Sequence, residues 1–134
     1  MGAINGGFQV SDFRTAKVLV VDDRPDKLIA FESILQELQQ EIFTAASGEE
    51  ALKLLLEHEF AVVLLDVNMP RLDGFEVCRR LKADPGTADI KVVMLTARGA
   101  DVDRLRAREA GADDYFVKPF SPIQLLNKVY SLLA

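Results

Sequence analysis

Val18-Leu19-Val20-Val21-Asp22-Asp23 is an unbroken run of branched aliphatic side chains that stops at two carboxylates. Four consecutive apolar positions leave no polar face. The run therefore predicts a strand buried on both sides, as in a parallel sheet covered by helices. The same form returns downstream: Ala61-Val62-Val63-Leu64-Leu65 stops at Asp66, and Val92-Val93-Met94-Leu95 stops at Thr96. Residues 42–46 and the short Tyr115-Phe116-Val117, which stops at Lys118, complete five predicted strands.

Helical signals fill the gaps between them. Pro25 suits a first helical turn, and Leu28, Phe31, Ile34, Leu35 and Leu38 follow at helical spacing. Ser47 with Glu50 three residues later forms a capping box, opening a helix with Ala51, Leu52 and Leu55 inward. Asp73, read as an N-cap, starts a third helix that runs to about Lys82 and is ended by Pro85-Gly86. Residues 101–110 form a charge-rich fourth helix, anchored by Val102 and Leu105 and capped by Gly111. Residues 121–133 form the last, carrying Leu126, Val129, Tyr130 and Leu133. Five strand–helix units with short, right-handed connections imply an α/β fold. The expected architecture is a doubly wound five-stranded parallel sheet in the order 2-1-3-4-5 with five helices, flavodoxin-like. It occupies residues 17–134; residues 1–16 are Gly-rich at the start and read as a linker, a cloning remnant or a loosely docked extension.

Composition bounds the function. At 134 residues, 49% hydrophobic and 28% charged, the chain suits one globular domain and excludes a disordered tail, a fibre or a disulfide scaffold. A net charge of −5 argues against direct nucleic-acid binding, which needs a cationic footprint. Cys78 is the lone cysteine and reads as a small core residue. The longest apolar run, residues 60–65, is too short to cross a bilayer, so no membrane insertion is expected. Gly6 breaks a myristoylation pattern and no signal-peptide layout precedes it, which makes the cytoplasm the expected compartment.

In an open parallel sheet, ligands bind beyond the carboxyl ends of the strands. Those ends carry Asp22, Asp23, Asp66, Thr96 and Lys118, so three carboxylates, a hydroxyl and an amine converge on one edge. Crowded carboxylates raise one another's pKa unless a cation sits among them, and a small oxygen site open to water suits Mg²⁺. A carboxylate can attack phosphorus, and a metal, an ammonium and a hydroxyl donor can neutralise the charge on the transferred group. Asp66 is the best nucleophile because its strand is flanked by the first and fourth. Asp22 and Asp23 are placed to hold metal, and the small Ala97 beside Thr96 leaves room for a phosphoryl group.

Four motifs then stand in order: Val20-Val21-Asp22-Asp23, Leu65-Asp66-Val67-Asn68-Met69-Pro70-Arg71-Leu72-Asp73-Gly74, Met94-Leu95-Thr96-Ala97 and Val117-Lys118-Pro119-Phe120. Together they resemble the receiver domain of two-component response regulators, of the chemotaxis-regulator kind, from Lys17 to the C-terminus. The resemblance implies a phosphorylation-activated signalling switch that catalyses only its own phosphorylation and autodephosphorylation. Asp66 would accept the phosphoryl group from a sensor histidine kinase or a histidine phosphotransfer protein. Asp23, Asp66 and the Asn68 backbone carbonyl would hold Mg²⁺, or Mn²⁺ in its place, with Asp22 acting mainly through water. Lys118 would pair with the phosphoryl oxygens, and the Lys118–Pro119 bond would be cis. Thr96 and Tyr115 would be the switch residues, changing the face made by the fourth helix, fifth strand and fifth helix. A downstream effector domain or protein would read that face, or a phosphorylation-dependent dimer would form on it. Asn68 and Arg98 fall where receivers tune the acyl-phosphate lifetime.

Blander and rival readings stand beside these. Thr96 could satisfy a strand-end backbone group, and Tyr115 could be an edge aromatic with its hydroxyl in water. His58 is structural, and Arg104, Arg106 and Arg108 are either a solvated face or an interface. A phosphohydrolase of the haloacid dehalogenase kind needs an acid where Asn68 stands. A flavin carrier needs a Ser/Thr/Gly-rich loop where Asp22-Asp23-Arg24-Pro25-Asp26 stands. A degenerate receiver, acting only by docking, would lack part of the acidic site. The effector output is not encoded in these motifs.

Overall fold

The computed structural model describes residues 15–97 and 101–133. In chain order the elements are β1 (Lys17–Val21), α1 (Pro25–Leu35), a 3-10 turn (Gln36–Leu38), β2 (Glu41–Ala45), α2 (Gly48–Glu57), β3 (Val62–Asp66), α3 (Gly74–Ala83), β4 (Lys91–Thr96), α4 (Asp101–Glu109), β5 (Asp114–Val117) and α5 (Pro122–Leu133). The strands form one sheet in the order β2-β1-β3-β4-β5, and every neighbouring pair is parallel. This is the doubly wound arrangement expected from the buried runs. No helix among the described residues is long and apolar enough to cross a membrane. Of the expected N-terminal extension, only Thr15 and Ala16 lie within the described residues.

Strand side chains alternate between faces, and here both faces are covered. Leu19, Val21, Val63, Leu65, Val92 and Met94 pack against Ala51, Leu55, Phe75, Cys78 and Leu81 of α2 and α3. Val18, Val20, Val62, Leu64, Val93 and Leu95 face Phe31 and Leu35 of α1 and Leu125 and Val129 of α5. That is why β1, β3 and β4 needed continuous apolar runs rather than alternation.

Helix ends follow their sequence signals with one variation. Asp73 accepts a hydrogen bond from the Glu76 N–H at 2.9 Å, and the Ser47 hydroxyl accepts from the Glu50 N–H at 3.0 Å. The Glu50 carboxylate does not close the box on Ser47; it accepts from the Ala46 N–H at 2.7 Å. At the end of α4, Gly111 has φ +92°. The Ala112 N–H reaches the Ala107 carbonyl and the Gly111 N–H the Arg108 carbonyl, the two bonds of a Schellman cap.

Two expectations about inward faces are overturned. Val102 and Leu105 do not anchor α4; they are 65% and 52% exposed, while Ala107 and the following Ala110 are buried. Alanines take the inward positions, and the larger side chains are turned outward. In α5 the inward stripe is Leu125 and Val129, one helical turn apart, with Leu126 and Leu133 only half-buried. Tyr130 is exposed, and its hydroxyl donates to the Glu37 carbonyl at 3.2 Å.

The sharpest packing constraint lies where α3 starts under the end of β3. A Cβ on Gly74 would fall 2.3 Å from the Asp66 carbonyl oxygen and 3.0 Å from the Val67 Cα, both backbone atoms that cannot turn aside. Gly74→Ala is therefore expected to destabilise the fold by about 1–3 kcal/mol, the range for overpacking a tight site. Urea unfolding followed by circular dichroism measures it, and an unchanged midpoint would contradict this packing.

Candidate functional site

Strand register builds the site. Val21 of β1 lies opposite Leu65 of β3, Asp66 opposite Leu95 of β4, and Thr96 opposite Val117 of β5. Asp22 and Lys118 each follow directly on the last residue of their strand, so they fall on the same edge as Asp66. The ligand oxygens of Asp22, Asp23 and Asp66 lie within 4.8 Å of one another.

Lys118 enters this acidic cluster. Its Nζ donates to Asp66 Oδ1 at 2.9 Å and stands 3.9 Å from Asp22 Oδ2. Asp22 Oδ1 accepts from the Arg24 N–H at 3.0 Å, whereas Asp22 Oδ2 is buried with no hydrogen-bond partner. Burial is the main influence on Asp22 and pushes its carboxyl above the usual aspartate range. The Arg24 N–H opposes that push, the Asp66 charge adds to it, Lys118 opposes it and Asp23 adds to it. The Lys118–Pro119 peptide is cis, and the Lys118 N–H bonds back to the Thr96 carbonyl at 2.6 Å.

An orphaned, buried carboxylate oxygen beside two further carboxylates is a donor set for a hard divalent cation. Asp22, Asp23 and Asp66 thus fit a metal such as Mg²⁺. Asn68 lies two residues past Asp66 and is exposed on the same loop. A carboxylate with an ammonium on one oxygen and two further carboxylates beside it can also accept an electrophilic phosphorus.

The two expected switch residues both contact α4. Thr96 is buried, and its hydroxyl donates to Asp103 Oδ2 of α4 at 3.2 Å. The Tyr115 hydroxyl accepts a hydrogen bond from Arg104, whose guanidinium also lies over the ring at 5.3 Å from its centroid. Arg106 sits 4.2 Å from the centroid of the Phe75 ring. All three arginines of α4 are exposed, and two of them, Arg104 and Arg106, also lie over aromatic rings. Neither Asp103 nor the Arg104–Tyr115 pairing was singled out from sequence. The available signal was a carboxylate in the first turn of the helix that follows a strand ending in a hydroxyl.

Other singled-out residues lie apart from the site. His58 caps the end of α2, packs on Phe43 and Phe60 with centroids 4.7 and 6.0 Å away, and sits 3.2 Å from Lys17 Nζ. Cys78 is buried, its thiol donates to the Ala110 carbonyl at 3.3 Å, and burial pushes its pKa up to about 11. It is inert core. Arg98 lies outside the described residues.

Comparison with known proteins places this geometry. The family model described as the response regulator receiver domain matches residues 18–130. A probable transcriptional regulator, ycf27, of Cyanophora paradoxa is 49% identical over 118 residues, covering 87% of this chain and 48% of the relative. The transcriptional regulatory protein SrrA of Staphylococcus aureus is 38% identical over 117 residues, covering 87% and 47%. The chain thus spans about half the length of these curated relatives. Among solved structures, the chemotaxis protein CheY4 of Vibrio cholerae superposes with a TM-score of 0.83 at 33% identity, over 88% of this chain and 98% of that one. The response regulator DrrB of Thermotoga maritima gives 0.80 at 39% identity, over 89% and 52%.

The raised Asp22 pKa has a measurable consequence. The native state binds this proton more tightly than the unfolded chain, where the carboxyl titrates in the ordinary range. Without divalent cations, stability therefore falls as pH rises through the raised native value, and the penalty is absent below the ordinary value of about 4. Asp22→Asn removes the buried charge. In EDTA it is expected to raise the urea midpoint at pH 7.5, with the advantage shrinking as pH falls towards about 4. A variant less stable than the parent at pH 7.5 would contradict this reading.

Proposed function

Because the chain belongs to the response regulator receiver family of two-component signalling, we propose that it is a phosphorylation switch whose acceptor is Asp66. The observation that carries this reading is the Asp66 carboxylate held by Lys118 at 2.9 Å beside the unpartnered buried oxygen of Asp22. An oxygen of Asp66 attacks the phosphorus of a phosphohistidine on a sensor kinase or phosphotransfer protein. The phosphorus–nitrogen bond breaks and the imidazole leaves with a proton. Asp23, Asp66 and the Asn68 carbonyl would hold Mg²⁺, with Asp22 acting through water. When bound there, such a metal would supply positive charge that offsets the charge on the transferring oxygens. Lys118 pairs with a phosphoryl oxygen, and Thr96 turns its hydroxyl to another.

Tyr115 follows, and the altered surface is the face of α4, β5 and α5. Its exposed apolar side chains support a partner there: Val102 at 65%, Leu105 at 52%, Val117 at 37% and Ile123 at 60% exposure. The partner is an effector domain or protein, or a second phosphorylated copy. Relatives named as transcriptional regulators, with about twice the matched length, support an output on transcription. The chain works in the cytoplasm, catalyses only its own phosphorylation and dephosphorylation, and contacts neither nucleic acid nor membrane itself.

Incubation with Mg²⁺ and a small phosphodonor such as phosphoramidate is expected to give one phosphoryl adduct by intact mass. EDTA and Asp66→Asn should each abolish it. An adduct that persists on the Asp66→Asn protein would move the acceptor elsewhere.

A further inference from the structure

We propose that Asp103, in the first turn of α4, is a positioning residue that holds the Thr96 hydroxyl in the resting arrangement, so that a phosphoryl group on Asp66 must compete with α4 for it. The inference rests on the phosphoacceptor reading of Asp66 and adds the element that opposes it.

A hydroxyl has one proton and donates one strong hydrogen bond at a time. In this structure Thr96 Oγ1 gives it to Asp103 Oδ2 at 3.2 Å. Thr96 directly follows Leu95, the register partner of Asp66, so a phosphoryl group on Asp66 brings anionic acceptors to the neighbouring strand end. Both acceptors are charged and the donor is buried, so occupation of one excludes the other. By linkage, whatever weakens the Thr96–Asp103 bond strengthens phosphoryl binding by at most the same factor.

The position of α4 makes the competition consequential. Within the helix only Ala107 is buried. Its other ties are polar or cationic: Asp103 to Thr96, Arg104 to Tyr115, and Arg106 over the Phe75 ring. Consecutive residues therefore grip the two switch side chains, and releasing Asp103 loosens the turn that also carries Arg104. An acid in a first turn also favours the helix dipole, a purely structural role that Asp101 shares. Asp101 is the internal control.

The test is titration with beryllofluoride, a phosphoryl mimic on carboxylates, in saturating Mg²⁺, read from the amide resonances of Thr96 and Tyr115. Asp103→Ala is expected to lower the midpoint about threefold or more. Asp103→Asn, which keeps an uncharged acceptor and the side-chain shape, should fall between it and the parent, and it carries the test if the alanine variant does not fold. Asp101→Ala should leave the midpoint unchanged. A purely structural Asp103 predicts weaker binding together with a lower melting temperature, the opposite direction. An unchanged or higher midpoint in the Asp103 variants, or an equal shift from Asp101→Ala, overturns the proposal. Failure of the parent protein to bind beryllofluoride at all would instead overturn the acceptor reading on which it rests.

Discussion

The ion pair between Lys118 and Asp66 is the interaction on which the site depends. Asp22 and Asp66 are both almost fully buried, and Asp23 adds a third carboxylate within 4.8 Å. Such a cluster is costly in a protein interior unless cations and hydrogen bonds compensate it. One lysine reaches two of the three groups, and the Arg24 N–H serves one oxygen of Asp22. Asp22 Oδ2, 3.9 Å from that lysine, has no hydrogen-bond partner among the described residues. The arrangement requires β1, β3, β4 and β5 to be in register, because a one-residue slip would send each of these side chains to the other face. The net charge of −5 says little beside this local concentration.

Stability is spread unevenly around that edge. β1, β3 and β4 are flanked on both sides and filled by residues of 0% exposure, which makes them the rigid platform. By contrast, α4 is attached through alanines and polar bonds. A helix with so little buried apolar surface is drawn from the low-stability end of a fold, where small changes in interaction energy move populations.

Much of this was legible in the sequence, for identifiable reasons. Buried parallel strands require continuous apolar runs, and the residues ending those runs must share an edge. Asp22, Asp66, Thr96 and Lys118 could thus be placed together before any geometry was known. N-caps at Ser47 and Asp73 were equally readable, since each satisfies a local N–H three residues on. What escaped was orientation. Val102 and Leu105 look like anchors by type, but the buried side chains are Ala107 and Ala110. In α5 Tyr130 is turned outward and Leu125 inward. The Asp103 and Arg104 contacts were hidden because they join charged residues of one element to side chains of another. Periodicity says nothing about such pairs.

The loop after Asp66 is braced on two sides. Gly74 packs against the Asp66 carbonyl at a distance no side chain would permit, and its N–H bonds to the Val67 carbonyl at 3.2 Å. Arg71 holds a left-handed φ of 64° that a non-glycine residue adopts reluctantly, while its guanidinium pairs with Glu49 of α2 at 3.2 Å. That surface pair is weak alone. With the Gly74 contact it ties the segment to both α2 and α3. Asp66 is therefore presented from a braced loop, whereas Thr96 and Tyr115 are tied to α4 through the polar contacts of Asp103 and Arg104.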